Sequence, residues 1–300
     1  MTITNFTKGV LYATTAYFVW GLLPLYWKLL IAIEPMHILS FRILLSLTLV
    51  SIILISKKNF KWLAALKDRK KIWLLILTAI LICTNWGLYI WTVNNGNTLA
   101  TSLGYYITPI FTICLGLLFF REKLRPLQWA AVSLALTGVT LITILSGKLP
   151  WVSLVLAFTF GIYGLLKKKV SLSSLESLGT ETILSVPVSI LLLNFSFRGA
   201  APVFTGFSGL SYLSGIPYYN WIILAFSGLF TMLPLFLFAQ ATKLLPLSAV
   251  GFCQFLSPTL TFFLSVFIFG EPFSRNQFYV FLIIWAAVII YIISLRQQKR

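Results

Sequence analysis

Two ionisable side chains, Arg42 and Glu181, stand inside long apolar stretches of this sequence of 300 residues. A charge at the centre of an apolar membrane helix costs about 2.5 to 3.5 kcal/mol on insertion scales, so neither side chain should face lipid. Arg42 either attracts an anionic ligand group or finds a local partner such as Glu34. The functional interpretation of Glu181 is that it gates the protein or binds a coupling proton. The structural interpretation is that it pairs with one of the cations at 167–169. Both residues are therefore candidates for gating or coupling, with a local structural role as the alternative.

Residues suited to catalysis or metal binding are scarce. The sequence holds one histidine and six acidic residues, and no apolar stretch holds two carboxylates, so acid–base catalysis and metal ligation have almost no candidate groups. Gly147 and Lys148 lack the upstream glycine of a phosphate-binding loop. The cysteines Cys83, Cys114 and Cys253 have neither disulfide nor metal-ligand spacing. We therefore expect no enzyme, no cofactor and no metal.

Composition predicts a membrane protein built from helices. Hydrophobic residues make up 59% of the chain, charged residues make up 10%, and the mean hydropathy is +0.95, whereas soluble domains are roughly 45 to 50% apolar. An apolar run of about 20 residues crosses the bilayer core as a helix. We predict ten such spans, at residues 9–30, 36–56, 72–93, 98–120, 127–146, 150–167, 177–195, 220–242, 247–269 and 276–295.

The basic residues are distributed unevenly between alternate loops. Eighteen of the 23 lysines and arginines fall in the two terminal segments and in the loops that would share their side. Three fall in the loops of the other side, namely Lys148, Arg198 and Arg275. Short loops rich in Lys and Arg stay in the cytoplasm. The net charge of +17 therefore predicts cytoplasmic N- and C-termini, and it does not predict nucleic-acid binding.

Part of the sequence occurs twice. A shift of 149 positions superimposes two apolar spans, and the matched residues are Ala100 and Ala249, Pro109 and Pro258, and Glu122 and Glu271. Proline removes a backbone donor and clashes with the preceding turn, so both helices should kink or break. Paired interrupted helices in the two halves of a membrane protein indicate the central site of a transporter. Kinks that serve packing alone would explain the prolines equally well.

A second offset extends the repeat to the first and sixth spans. At 140 positions, Phe18, Gly21, Leu25 and Lys28 recur as Phe158, Gly161, Leu165 and Lys168. Each half then has five spans, in residues 1–147 and 148–300, and an odd count inverts the second half relative to the first. The inversion places Arg42 near the outer mouth and Glu181 near the inner one. The predicted fold is an all-α membrane protein of ten transmembrane helices in two inverted repeats.

The residues closest to the predicted breaks are the first candidates for lining a substrate site: Tyr105, Tyr106, Pro109, Gln254 and Pro258. Membrane-buried polar and aromatic side chains need partners, which a cavity can supply, and small residues let neighbouring helices approach closely. On these grounds the further candidates are Asn85, Tyr89, Trp20 and Tyr163.

Several polar features receive no transport role. Glu122 and Glu271 end their helices beside cations or a proline, which favours capping or a loop role. His37 begins the second span at the membrane interface and is assigned no function. The segment 196–219 is rich in Gly, Ser, Pro and aromatic residues and is interpreted as an outer loop. It either covers part of the site or serves as a linker, and the linker is favoured.

Several sequence strings resemble those of RarD-type permeases in the EamA branch of the drug/metabolite transporter superfamily. They are WGLLPLYWK (20–28), NWGLYIW (85–91), SLGYYITP (102–109), LQW (127–129), YGLLKKKV (163–170) and LPLSAVGFCQFLSPTL (245–260). The resemblance covers residues 8 to about 293. It implies ten spans, two EamA repeats and a bacterial inner-membrane location. The family is labelled as a chloramphenicol-sensitivity or resistance permease.

The expected function is a secondary active transporter that moves a small organic metabolite or drug by alternating access. Its site would lie between the two halves, near Pro109 and Pro258. The expected partners are a small-molecule substrate and the lipid bilayer, with a coupling proton or substrate exchange as the two options for driving transport. The alternative is a membrane protein of structural or assembly function that transports nothing.

Overall fold

The computed structural model describes residues 3–94, 105–146, 151–196 and 203–296, and helices account for most of them. The chain up to residue 146 forms α1 (Ile3–Lys28), α2 (Pro35–Ser56), the single turn α3 (Lys61–Ala64) with a 3₁₀ turn (Ala65–Lys67), α4 (Arg69–Asn94), α5 (Ile107–Phe120) and α6 (Pro126–Ser146). It continues with α7 (Trp151–Lys169), α8 (Ser174–Leu184), α9 (Val186–Leu193), α10 (Tyr218–Ala225), α11 (Ser227–Leu244), α12 (Leu247–Gln254), α13 (Leu256–Phe263), a π-helical turn (Leu264–Ile268) and α14 (Arg275–Arg296). Between α9 and α10 lie the antiparallel strands β1 (Phe195–Ser196) and β2 (Val203–Phe204) and a 3₁₀ segment (Gly206–Gly215).

Seven helical stretches of the described chain are long and apolar enough to cross a membrane, and two shorter apolar helices accompany them at Ile107–Phe120 and Pro126–Leu141. The seven are Pro35–Ser56, Lys71–Thr92, Trp151–Lys169, Ser174–Leu193, Tyr218–Leu244, Leu247–Ile268 and Arg275–Ser294. Each coincides with a span predicted from sequence, so the all-helical membrane class is confirmed. The count of ten spans and their inverted arrangement remain predictions.

The helix that contains Pro258 is interrupted at Phe255, between α12 and α13. The break precedes the proline because Pro258 supplies no N–H to the carbonyl of Gln254 and its ring clashes with that group. Tyr106 also has a turn conformation directly before α5, three residues before Pro109. Tyr106 and Phe255 are 149 positions apart, which is the repeat offset. The predicted span 98–120 has its first residues, 98–104, outside the described chain.

Glycines allow the closest approaches between helices. A Cβ atom on Gly228 of α11 would lie 2.6 Å from the backbone carbon of Leu45 on α2. The Oγ of Ser46 donates a hydrogen bond of 3.0 Å to the carbonyl oxygen of Gly228 at the same crossing. On α7, a Cβ on Gly161 would lie 2.5 Å from the ring of Phe111. The two contacts fix the distance between α2 and α11 and the distance between α5 and α7.

Four loops gather at one end of the bundle, at residues 57–68, 121–125, 170–173 and 245–246. This end is here called the cationic end, because Lys and Arg residues lie within these loops or on the helix turns that precede them. The amide of Asn59 donates to Glu176 at 2.8 Å, and the Nζ of Lys243 donates to the carbonyl of Leu172. Glu122 accepts hydrogen bonds from the backbone N–H groups of Leu247 and Ser248 at 2.6 and 2.8 Å. The capping role expected for Glu122 is therefore confirmed, although the capped helix is α12 of the other half.

The opposite end is covered by residues 203–217, the described part of the segment between β1 and α10. Leu213 is buried among residues of α1 and α2, and Tyr212 packs beside it. His37 is fully buried, with its Nδ1 2.8 Å from the hydroxyl of Tyr212 and its Nε2 3.0 Å from the carbonyl oxygen of Phe195. The expectation of a plain linker was wrong, because this segment carries apolar and aromatic side chains that bury against α1 and α2. His37, which received no role from sequence, fastens the segment to α2.

Candidate substrate cavity

A cavity lies between α1, α2, α4, α7 and the broken helix α12–α13. The volume open to the centres of water molecules is about 70 Å³. One water needs about 10 to 15 Å³ of such volume, so the cavity has room for roughly five waters. Aromatic side chains dominate its wall, with a few polar groups among them. The lining residues are Tyr17, Trp20, Leu23, Trp27, Arg42, Asn85, Trp86, Tyr89, Tyr105, Phe160, Gln254, Ser257, Pro258 and Thr261.

Seven of the candidates from the sequence share this cavity: Trp20, Arg42, Asn85, Tyr89, Tyr105, Gln254 and Pro258. They come from distant parts of the chain, and both halves contribute. The helix break between α12 and α13 forms one wall, as expected for an interrupted helix that lines a cavity. The binding roles of these residues remain predictions, which their common location supports.

Four other candidates lie outside the cavity wall. Tyr106 is fully buried on the far side of α5, where its hydroxyl lies 2.9 Å from Thr259 Oγ1 and its ring packs on Phe281. Its neighbour Tyr105 faces the cavity because successive helical residues point about 100° apart. Pro109 is buried on α5. Tyr163 and Glu181, the remaining two, contact each other below the cavity.

Arg42 is held by two tryptophans and one threonine. Its guanidinium carbon lies 4.8 Å from the ring centroid of Trp27 and 4.4 Å from that of Trp86. Its Nε donates a hydrogen bond of 2.9 Å to Thr231 Oγ1. Such cation–π contacts stabilise a charge that has left water. The side chain is 2% exposed.

Two amide side chains of the cavity differ in their hydrogen bonding. The Nδ2 of Asn85 donates to the carbonyl of Leu156 at 3.0 Å and to Thr159 Oγ1 at 2.9 Å, which ties α4 to α7. Gln254 is the last residue of α12, and its Oε1 is buried without a partner among the described residues. The Nδ2 group of Asn85 is therefore used to join two helices, whereas Gln254 Oε1 is an acceptor that a ligand can use.

Below the cavity, five aromatic rings from α1, α7 and α11 pack together as an aromatic floor, which consists of Tyr17, Trp20, Phe160, Tyr163 and Phe238. Ring centroids lie 5.5 Å apart for Trp20 and Phe160 and 5.2 Å apart for Phe160 and Phe238. Tyr163 stacks on Phe238 at 5.9 Å. Since Phe160 lines the cavity and Tyr163 lies one turn nearer the cationic end, the floor separates the cavity from that end.

An ion pair lies directly beyond the floor. The Nζ of Lys167 is 3.0 Å from both carboxylate oxygens of Glu181 and 2.7 Å from Ser177 Oγ. The hydroxyl of Tyr163 donates to Glu181 Oε2 at 3.2 Å.

The local cationic partner expected for Glu181 is confirmed. The corresponding partner proposed for Arg42 was Glu34, and the observed hydrogen-bond partner is Thr231.

Sequence reasoning missed several contributors to this region. Trp27 and Thr231 hold Arg42, yet Thr231 is 189 positions away and carries no local signal. Trp86, which also contacts Arg42, was not among the candidates from the sequence. Phe238 completes the floor from α11, and one of many phenylalanines in an apolar span cannot be singled out without tertiary structure.

The family model of the EamA-like transporter family matches residues 7–144 and again residues 149–293. The chain belongs to this family. Among EamA relatives, the uncharacterized transporter YojE of Bacillus subtilis is 41% identical over 98% of this chain and 96% of its own length. Protein RarD of Escherichia coli is 36% identical over 98% of this chain and 96% of its own. The resemblance to RarD-type permeases is confirmed, and this EamA protein is a membrane transporter and not an enzyme.

A solved crystal structure shares the EamA chain's fold at 15% sequence identity. The two superimpose with a TM-score of 0.68 over 94% of this chain and 96% of the other. At this identity the likeness describes the fold alone.

Proposed function

We propose that this chain is a secondary active transporter, a permease that moves a small organic metabolite or drug across the bacterial inner membrane by alternating access. One observation carries the proposal: a cavity bounded by a broken helix takes its wall from both halves of the chain and is closed below by the aromatic floor. Alternating access requires such a site between two bodies that rock against each other.

The two bodies are residues 1–147 and 148–300, arranged as inverted repeats of five spans each. Two matches of one family model, at 7–144 and 149–293, support this division. The equivalent turns at Tyr106 and Phe255 support it as well. Because the cationic end carries most of the Lys and Arg residues of the loops, it faces the cytoplasm, together with both termini.

The aromatic floor and the Lys167–Glu181 pair form the inner gate. Opening toward the cytoplasm would separate rings of α1, α7 and α11 and change the packing around Tyr163, whose hydroxyl contacts the pair. Binding of a coupling proton at Glu181 would require the pair to separate, because Lys167 contacts both carboxylate oxygens. Gate opening and proton binding would then be linked, whereas substrate exchange would need no such link.

Two-sided labelling of a cavity cysteine tests alternating access without knowledge of the substrate. Ser257 lines the cavity and is half-buried, so Ser257→Cys, with Cys83, Cys114 and Cys253 replaced by serine, gives a single reporter. Intact cells and inside-out vesicles are treated with a membrane-impermeant maleimide. A transporter exposes the reporter to both faces.

Two one-sided controls calibrate the labelling. The controls are Ser214→Cys and Lys123→Cys. Ser214 is an exposed residue of the segment at the outer end, and Lys123 is an exposed residue of a loop at the cationic end. Each should react from one face only, and from opposite faces. If Ser257→Cys also reacted from a single face, alternating access would be wrong and the non-transporting structural protein would become the better interpretation.

A further inference from the structure

Arg42 carries an uncompensated charge at the cavity wall. Its Nε donates to Thr231, and its two Nη groups donate to no residue of the described chain. Among the described residues, no carboxylate lies within 4.0 Å of it, and the cavity wall contains no Asp or Glu. A buried charge without an ionic partner is costly, and cation–π contacts offset only part of that cost.

Other polar atoms of the same wall lack partners too. In the described chain, the hydroxyl of Tyr17, the Nε1 of Trp27 and the Oε1 of Gln254 are buried with no hydrogen bond. Tyr17 and Trp27 are at most 1% exposed, and Gln254 is 5% exposed. Buried polar groups are normally satisfied, so such a cluster indicates atoms that a ligand completes. Among these described atoms without partners, donors outnumber acceptors, since Arg42, Trp27 and Tyr17 offer N–H or O–H groups and Gln254 offers a carbonyl oxygen.

We propose that the substrate is a small organic monocarboxylate that also carries a hydrogen-bond donor. This inference rests on the transport function proposed above and names the substrate class for the same cavity. The carboxylate accepts from the Nη groups of Arg42, whose planar fork matches two carboxylate oxygens. The donor of the substrate binds Gln254 Oε1. The apolar body of the substrate packs against the aromatic wall.

Charge and size favour a monoanion over a phosphate ester. Arg42 is the one cation among the lining residues that the structure describes, so a dianion would bring a second charge without a partner. The cavity, which has room for about five water molecules, also favours a small molecule. Trp27 and Trp86 lie against the guanidinium and restrict its orientation, which reduces the entropy lost when the carboxylate binds.

The test compares carboxylates with their carboxamides. The purified full chain in detergent is heated with phenylacetate, 3-phenylpropionate, 3-phenyllactate and lactate, each beside the carboxamide of the same skeleton. Ligands that bind only the folded protein raise its thermal midpoint, and at equal ligand concentration the shift grows with the logarithm of the affinity. We expect at least one carboxylate to bind about tenfold or more tightly than its carboxamide, since hydrogen bonds to charged groups are the stronger ones.

Substitutions then assign the preference to the residues. Arg42→Gln should weaken carboxylate binding by about 10- to 100-fold, and the matched control Arg125→Gln, at an exposed arginine of the cationic end, should leave it unchanged. Arg42→Lys keeps the charge without the fork and should bind carboxylates less tightly while still preferring them. Gln254→Leu should abolish any advantage of 3-phenyllactate over 3-phenylpropionate, which differ only in the hydroxyl.

Equal stabilisation by carboxylates and carboxamides, or no stabilisation by any carboxylate, would overturn the proposal. So would a carboxylate preference that survives Arg42→Gln. The comparison on the parent protein stands even if Arg42→Gln does not fold. Failure of the substrate class is distinct from failure of transport, because Ser257→Cys labelling from both faces would keep the transporter. Conversely, if carboxylates bind but Ser257→Cys is labelled from a single face, the proposed binding site would stand and the proposed alternating access would be wrong.

Discussion

The ammonium of Lys167 lies 3.0 Å from each carboxylate oxygen of Glu181, and both side chains are 2 to 3% exposed. The pair connects α7 and α8, which are joined by a short turn, and it belongs to the inner gate proposed above. Ser177 and Tyr163 complete its hydrogen bonds. A buried pair of this kind is costly to break from one side, because the remaining charge has no partner.

A double-mutant cycle measures that coupling. Lys167→Met and Glu181→Gln should each lower the free energy of unfolding by about 3 to 5 kcal/mol, and the double variant should lose less than the sum. The readout is the thermal midpoint in detergent. The control is the exposed pair of Lys71 and Asp68, also at 3.0 Å but 45% and 37% exposed, whose removal should cost less than about 1 kcal/mol. Additive single effects at Lys167 and Glu181 would contradict a coupled pair.

Proton coupling through Glu181 has a separate test. In the Ser257→Cys protein, the ratio of labelling from the two faces should change with pH, and Glu181→Gln should remove that change. The ratio is used because thiol ionisation affects both faces alike. Glu176→Gln, another acidic residue of α8 near the cationic end, is the matched control. An unaltered pH dependence in Glu181→Gln would exclude this residue as the proton site and favour exchange.

The positions of the membrane spans were predictable from sequence, because the length of an apolar run is set by the thickness of the bilayer and not by the partner helix. The pairing of Glu181 with Lys167 was predictable for a related reason, since the short turn 170–173 holds α7 and α8 side by side. Thr231 as the partner of Arg42 was not predictable, because a contact across 189 positions depends on tertiary packing.

Proline positions predicted some helix breaks and not others. Pro258 interrupts its helix, whereas Pro24 and Pro234 lie inside the continuous helices α1 and α11. A break also occurs at Phe226, which no proline follows within a turn. Whether a freed carbonyl is satisfied depends on neighbouring helices and water, which the local sequence does not encode.

Glu122 stabilises a helix of the other half. It accepts two backbone hydrogen bonds at the N-terminus of α12, where the helix dipole favours a negative charge. Glu122→Gln should therefore lower the free energy of unfolding by about 1 to 3 kcal/mol. Thermal midpoints of this variant and of the parent protein provide the measurement. Equal midpoints would contradict the cap.

Gly228 permits the close crossing of α11 and α2. A Cβ there would lie 2.6 Å from the backbone of Leu45, and backbone cannot give way as a flexible side chain can. Gly228→Ala should destabilise the protein by about 1 to 3 kcal/mol. Gly215→Ala is the matched control, because nothing lies within 4 Å of its added Cβ. A Gly228→Ala protein as stable as the control would show that the two helices separate freely.

Counterflow in proteoliposomes tests the central claim most directly. Vesicles are loaded with the carboxylate that gives the largest thermal shift and diluted into a trace of the same compound in radiolabelled form. The account predicts transient, saturable accumulation of label in vesicles with the parent protein and with Arg125→Gln, and its loss with Arg42→Gln. Entry of label no faster than into protein-free vesicles, for a carboxylate that binds, would contradict transport through this cavity.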